Sequence, residues 1–506
     1  MLFVLVMEVL NGLIRFADQN GYLSQLPSKA AGCRASLYAD DLVVFLAPVQ
    51  GDAEVMKEML RIFGHASGLF TNMEKSVATP IQCSTEQLQL FVSRFGCQIA
   101  HFPCRYLGVP LSVHKLSRSK ELPLINSVAN RIPAWKENLL NLAGRATLTA
   151  VTLSAIPTHT AIAVCLSPWA VQQIDKKRRA FLWSGTDQVA GGKCRVAWTV
   201  ACRPKDLGGL GLIDLRRFGI ALQLRWEWKR RMQAYLPWVP LPSPDNKTLA
   251  STFLAATDVV LGDGNTAIFW LDRWLPDGRS VQEVAPHVMA RVPRRCRATT
   301  IAEAIHDHTW VRHIAPPFSV LILTEYLQLW DVIQRVHFSD NSPDVLRWKW
   351  SADMSYSSAS AYHLLFAGAI RPLGAKELWK VAAPPKVKHF FWLALHKRCW
   401  TAARRHRRGL QQSPTCILCG VDAEEIDHIL IGCSFSRSVW QSVLGRLHLS
   451  HVPLQPGTCF WSWWLAAWKL VPKEQRKGFD SVVFVVGWIL WNERNARTFD
   501  SRFSSP

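Results

Sequence analysis

No apolar run in this 506-residue chain is long enough to cross a bilayer. The longest beyond the N-terminus, Val482 to Trp491, falls well short of the roughly 20 residues a spanning helix needs. A secretory signal is missing as well. Met1-Leu2-Phe3-Val4-Leu5-Val6-Met7 is apolar, but it has no basic n-region and no small-residue cleavage site. It reads as a core helix entered part-way. There is no low-complexity tract and no internal repeat of fixed period, so a solenoid is not expected. The glycine-rich step Leu261-Gly262-Asp263-Gly264-Asn265 lacks the Gly-Lys-Ser/Thr ending of a phosphate loop. Asp-Gly between apolar segments predicts a hairpin there instead. Thirteen cysteines, odd in number, scattered and without a signal ahead of them, indicate a reducing compartment. The chain is expected to be soluble and intracellular, nuclear or cytoplasmic.

Acid is also in short supply. Lysine and arginine number 59 against 38 acids, for a formal charge of +21. Such an excess points to a polyanionic partner, most commonly nucleic acid, the plainer alternative being a basic surface that only aids solubility. The 23 tryptophans interleaved with basic segments favour nucleic acid. At 49% apolar the chain can bury real cores, and its length suggests about three domains.

Two adjacent carboxylates stand out in Tyr38-Ala39-Asp40-Asp41, between Ala35-Ser36-Leu37 and Leu42-Val43-Val44-Phe45-Leu46. Apolar, β-favouring flanks around an acidic step predict a strand-turn-strand hairpin. Its tip would expose both carboxylates as hard oxygen ligands for a divalent metal. Taken alone, Asp-Asp at such a place is more often turn chemistry. Helical spacing follows over residues 52 to 68, closing at Gly68, then a short extended piece, Leu69 to Ser76, containing Lys75. Proline and glycine punctuate a second short hairpin at Phe102 to Leu111. From about 120 to 235 the pattern is helical and basic, with Lys176-Lys177-Arg178-Arg179 and, farther on, Arg225, Lys229, Arg230 and Arg231 beside Trp226 and Trp228. Solvated helix faces with inward aromatics and phosphate contacts both fit that spacing.

Cys416, Cys419, His428 and Cys433 form C-x2-C-x8-H-x4-C. A leading pair on a tight turn and a trailing His and Cys can close a tetrahedral structural zinc site. The alternative is four unrelated residues in a core, since free cysteine packs as a small hydrophobe; the paired spacing favours zinc. Just upstream, Arg371 to Gly409 carries ten lysines and arginines beyond Arg371 against the single acid Glu377, threaded with Trp379, Phe390, Phe391, Trp392 and Trp400. Lys386 to Trp400 is predicted as a helix with an aromatic stripe. Basic charge beside a zinc module points to nucleic acid more strongly than either feature alone.

In this order the motifs resemble the C-terminal part of a plant LINE-type non-LTR retrotransposon reverse transcriptase, over nearly the whole chain. The resemblance implies an α+β chain: a truncated palm remnant (1–111), a mostly helical thumb-like region (112–235), a connection region with the Gly-Asp-Gly hairpin (236–365), a reverse-transcriptase zinc-binding domain (366–445) and a Trp-rich helical tail (446–506). It implies RNA-directed DNA polymerase chemistry, with RNA and DNA as partners. Asp40 would be the principal Mg²⁺ ligand and Asp41 its partner, beside Tyr38. Lys75, in Asn72 to Ser76, would lie near the incoming nucleotide's phosphates. Tyr106, Leu107 and Gly108, in Phe102 to Leu111, would grip the primer. Trp135, Ala143-Gly144-Arg145 and Gly208-Gly209-Leu210-Gly211-Leu212 fit the thumb and connection. Ala383-Pro384-Pro385-Lys386 opens the zinc-binding domain, whose ligands would be Cys416, Cys419, His428 and Cys433. Trp488, Trp491, Glu493, Arg494 and Asn495 fit the tail. Such a palm takes a further aspartate from an earlier strand, whereas the acids before Asp40 are Glu8 and Asp18, neither in the setting of a metal-binding strand. The polypeptide alone is therefore expected not to polymerise DNA, and a nucleic-acid-binding remnant is the alternative.

Overall fold

Among the described residues, strands form only where turn chemistry or a distant partner closes a two-stranded ladder, and helices fill most of the rest. The computed structural model describes residues 2–26, 34–132, 139–233, 235–236, 238–239, 246–336, 338, 342–454 and 457–505; Trp135 lies outside them. The architecture is α+β. Two compact units interleave along the sequence, one from residues 1–120 and 220–361, the other from 121–219 and 362–506.

In the first unit, α1 (Leu2–Gln19) and α2 (Gln50–Ser67) flank the hairpin of β1 (Ala35–Tyr38) and β2 (Asp41–Val44). Leu10 and Ile14 of α1 meet Met56, Leu60 and Phe63 of α2, with Ala35, Leu42 and Val44 packed against them. These positions recur at three- and four-residue intervals, one face of each helix. Only that inner stripe of α1 is buried; Leu2, Val4, Leu5, Val9 and Phe16 are exposed. Gly68 ends α2 in the left-handed region (φ 77°), which glycine enters without a Cβ penalty. Asp18 accepts from the buried Arg34 just ahead of β1, and Arg34 also donates to the Ser24 and Phe45 carbonyls. That clamp sets the base of the hairpin.

A separate core in this unit is built on Phe269, Trp270 and Trp310, all fully buried, with Leu329 and Ile333 of the helix Val320–Gln334. The hairpin expected at Gly262-Asp263-Gly264 does not form. Strand β5 (Thr257–Val260) pairs instead with β6 (Val345–Trp348), antiparallel, Thr257 opposite Trp348. The glycine loop wraps the Asp344 carboxylate, which accepts from the backbone N–H groups of Gly262, Gly264, Thr266 and Ala267. A Cβ at Gly262 would strike the Ser342 carbonyl at 2.2 Å. Glycine is needed here for close approach, not for a hairpin turn.

The second unit gathers helices around aromatic side chains. Its main core joins Leu182 and Trp183 from α3 (Pro168–Ser184), Phe390 to Ala394 from α4 (Pro385–Leu395), Trp440 from α5 (Ser434–Arg446), Phe460 and Trp464 from α6 (Phe460–Leu470), and Val483, Phe484 and Leu490 from α7 (Arg476–Asn495). Helix α4 stops at Leu395, so Trp400 lies beyond it rather than on its stripe. Gly487 lets α7 approach closely, since a Cβ there would meet the Phe391 ring at 2.6 Å.

Candidate functional site

The cysteine and histidine motif closes into one cluster. Cys416 and Cys419 sit on a tight turn, the Gly420 N–H donating to the Cys416 carbonyl at 2.8 Å, with Gly420 at φ 73°. The Cys416 N–H donates to the Asp422 carbonyl. His428 opens the irregular helical turn His428–Gly432, and Cys433 caps α5. The four donor atoms lie within 4.8 Å of one another, and Cys419 Sγ is 3.4 Å from His428 Nε2. A tetrahedral ion with zinc–sulfur bonds near 2.3 Å spaces its sulfurs about 3.8 Å apart, so these residues fit zinc. Cys416 and Cys433 are buried, whereas Cys419 and His428 are half-buried.

Electrostatics prepare the cluster for a cation. A hydrogen bond from Cys416 holds the Cys433 thiol well below its ordinary value; His428 and the Ser436 and Phe435 N–H groups at the start of α5 assist, and burial opposes. Helix N-termini favour thiolates in this way. Cys416 is pushed up because it donates to Cys433, with burial adding to the effect. The Cys433 contact also raises His428. His428 turns Nε2 towards sulfur and Nδ1 towards Asp422, whose Oδ2 is 3.8 Å away.

Two residues outside the ligand motif anchor it. Glu424, between Cys419 and His428, accepts from Arg494 of α7 through Nε at 2.9 Å and Nη2 at 2.6 Å, and from the Ala402 N–H at 2.6 Å. Both side chains are 1% exposed. Spacing alone gives no sign of this pair, although Arg494 belongs to the tail motif. Several basic residues also prove structural. Arg178 is fully buried, bound to Asp175, the Ser154 hydroxyl and the Ile213 carbonyl, and Arg404 donates to the Arg398 carbonyl. Arg231 pairs with the buried Asp272, and Trp228 packs on Trp348 and Tyr356. Lys386, by contrast, is exposed.

In the first unit, Tyr38 pairs with Asp41 across a two-residue turn whose Ala39 has φ 53°. Tyr38, Asp40 and Asp41 are all exposed. The second hairpin, β3 (Cys104–Tyr106) and β4 (Val109–Leu111), turns at Leu107 (φ 51°) and Gly108 (φ 77°), a two-residue connection with positive φ at both positions. The Tyr106 hydroxyl lies 3.3 Å from Ser36 Oγ on β1, bringing the two hairpins into contact. Lys75 does not lie on an extended piece. It lies exposed in a turn over Met73–Lys75, its N–H donating to Asn72 Oδ1, because the Asn side chain caps its own backbone. Among the described residues Lys75 forms no ion pair with Asp40 or Asp41, and the only group of three or more His, Cys, Asp or Glu able to hold a metal is the Cys₃His set. No described helix is long and apolar enough to cross a membrane.

Residues 356–440, which contain all four clustered donors, match the family described as zinc-binding in reverse transcriptase. An Arabidopsis thaliana protein named as a ribonuclease H protein is 27% identical over 427 residues, covering 77% of this chain and 66% of that protein. The chain thus spans just under two thirds of the length of this relative. A reverse-transcriptase-related zinc-binding module is the part these matches establish.

Proposed function

We propose that the chain is the C-terminal portion of a plant LINE-type retrotransposon reverse transcriptase. In this reading Cys416, Cys419, His428 and Cys433 hold a structural Zn²⁺, and the basic module around them binds RNA or DNA. The observation that carries it is the closed Cys₃His cluster within the 356–440 match. In the same reading the segments 1–111, 112–235, 236–365, 366–445 and 446–506 are palm remnant, thumb, connection, zinc-binding domain and tail. Asp40 and Asp41 would bind Mg²⁺, whose chemistry, when bound, is activation of the primer hydroxyl and stabilisation of the leaving pyrophosphate. Two adjacent exposed carboxylates suit that hard cation, which keeps several waters. The contact between Ser36 and Tyr106 supports primer binding by Tyr106, Leu107 and Gly108 close to the acidic tip. Tyr38 and Lys75 would contact nucleotide or primer.

The chain alone is expected to be inactive for want of a further palm aspartate. Primer extension on an RNA template with Mg²⁺ and deoxynucleotides, by the chain joined to upstream sequence that carries that aspartate, therefore tests the polymerase reading. No extension by that longer chain, where a related reverse transcriptase extends, overturns it. Extension that disappears in Asp40→Asn supports it; extension unaffected by that change assigns catalysis elsewhere. A second reading, a non-catalytic zinc-stabilised RNA- or DNA-binding protein, is favoured by the state of Asp18, whose carboxylate is taken by Arg34. It predicts binding that falls steeply with salt and survives Asp40→Ala.

A further inference from the structure

A cavity of about 390 Å³ opens in the second unit, lined in part by Phe390 and Lys386 of α4, Trp488 and Trp491 of α7, Trp400 and Arg195. Its volume is within the range of ligand pockets, about 300–1,000 Å³. Helical spacing builds two of its walls: Lys386 and Phe390 are four residues apart, Trp488 and Trp491 three. Phe390 stands 5.4 Å from both Trp488 and Trp491, ring centre to ring centre.

Two properties of this cavity are unusual for a folded core. Trp392, Trp440 and Trp464 nearby are fully buried, yet Trp400, Trp488 and Trp491 are only half-buried. Most of the cations beside them also have no acidic partner among the described residues. Among the described residues Arg195 pairs with no carboxylate, and half-burial lowers its guanidinium pKa. Arg404 has Arg398, Arg408 and Arg195 for charged neighbours and stacks on Trp400 at 4.5 Å. Lys386 Nζ lies 5.9 Å from the Trp488 ring centre. Arg494 is the exception, being neutralised by Glu424.

Half-buried indoles, with Arg404 and Arg408 over Trp400 and Lys386 over Trp488, line one concavity whose cations Arg195 and Lys386 have no carboxylate partner among the described residues. Together they match a flat, π-faced group carrying an anion. We propose that this cavity takes an unpaired nucleotide of single-stranded RNA or DNA, its base against Trp400, Trp488 and Trp491 and its phosphodiester against Arg195 and Lys386. Bases inside a duplex present no free face, so the site selects unpaired strands. The inference rests on the nucleic-acid reading above and narrows it to one site and one strand state.

The test uses the full zinc-loaded chain and a fluorescent oligouridylate of about twelve nucleotides, beside an abasic strand of equal length and a duplex. Trp400→Ala and Trp488→Ala should each weaken oligouridylate binding by roughly tenfold, within the about 5- to 150-fold expected for losing one stacked base. Binding to the abasic strand should hardly change. Lys386→Glu, at an exposed position, should weaken both single strands and flatten the salt dependence. Retained zinc content reports that the variants are folded. Oligouridylate binding within twofold of the parent in all three variants overturns the pocket but leaves salt-dependent nucleic-acid binding standing. Failure of the parent to bind any of the strands at low salt overturns both.

Discussion

Arg494→Met removes the cation from a pair that is almost wholly out of water and leaves Glu424 with the Ala402 N–H as its remaining donor. Breaking one side of a buried ion pair costs about 3–5 kcal/mol, because the abandoned charge has lost both solvent and partner. A surface pair would cost only about 0–1 kcal/mol. Glu424 Oε2 has no hydrogen-bond partner among the described residues, so Arg494 on Oε1 is the main compensation for burying the carboxylate. For a unit of this size, each kcal/mol moves Tm by about 2–4 °C. Arg494→Met should therefore lower the melting temperature of this unit by roughly 6–20 °C, read by calorimetry on the zinc-loaded chain. Glu424→Gln combined with Arg494→Met removes the stranded charge and keeps an acceptor for Ala402, so it should regain a large part of the loss. A single-variant shift under about 2 °C, or a double variant no better than the single, would refute the reasoning.

Zinc analysis of the full chain under reducing conditions should give about one ion per molecule, falling towards zero in Cys433→Ser, with a chelator lowering Tm. Asp344→Asn should destabilise the first unit by about 1–3 kcal/mol at neutral pH, since an amide nitrogen would face backbone N–H donors that now point at oxygen. Burial alone would raise the Asp344 pKa, but the four backbone N–H groups outweigh it and hold the carboxyl below its usual range. Its stabilising contribution is thus complete above the unfolded value of about 3.9 and is lost as pH falls through the lower folded value. In denaturation curves the gap between parent and variant should narrow below about pH 4, and a gap that widens on acidification contradicts this. Gly264→Ala should also destabilise, by more than about 1 kcal/mol, because the residue has φ 72° and its Cβ would meet Phe338 at 2.6 Å; an unchanged Tm would tell against the wrapped loop.

What could be read from the sequence was local. Tyr38 to Asp41 and Phe102 to Leu111 are hairpins because alternation and turn residues a few positions apart decide them. The Cys₃His set was legible because its ligand spacing reflects a short turn followed by a helix start. Gly262-Asp263-Gly264 misled because the same dipeptide serves a hairpin or a carboxylate cradle, and Asp344 lies about eighty residues downstream. Lys75 misled because Asn72 turns its own backbone. The basic residues were legible as charge but not as roles: Arg178 and Lys386 look alike in sequence, yet one is fully buried and bonded and the other exposed.

The same distinction governs how the metal centre should behave when cut out of the chain. Residues 366–445 contain all four donors, but Arg494, the partner of Glu424, lies outside them. So do Phe460, Phe484 and Gly487, which pack against Phe391, and Trp183, which stacks on Trp392 at 6.2 Å. An excised 366–445 fragment would expose fully buried Phe391 and Trp392, each worth about 1.5–3 kcal/mol of burial, and would lose the Glu424 ion pair. Four ligands at correct spacing can still bind zinc in such a fragment, because metal affinity itself supplies folding energy. The expected outcome is therefore zinc binding with a loosened fold: near-stoichiometric uptake, but faster loss to a chelator than from the full chain. A fragment that releases zinc as slowly as the full chain would show that the turn and the start of α5 suffice, and that the shared core contributes little to holding the ion.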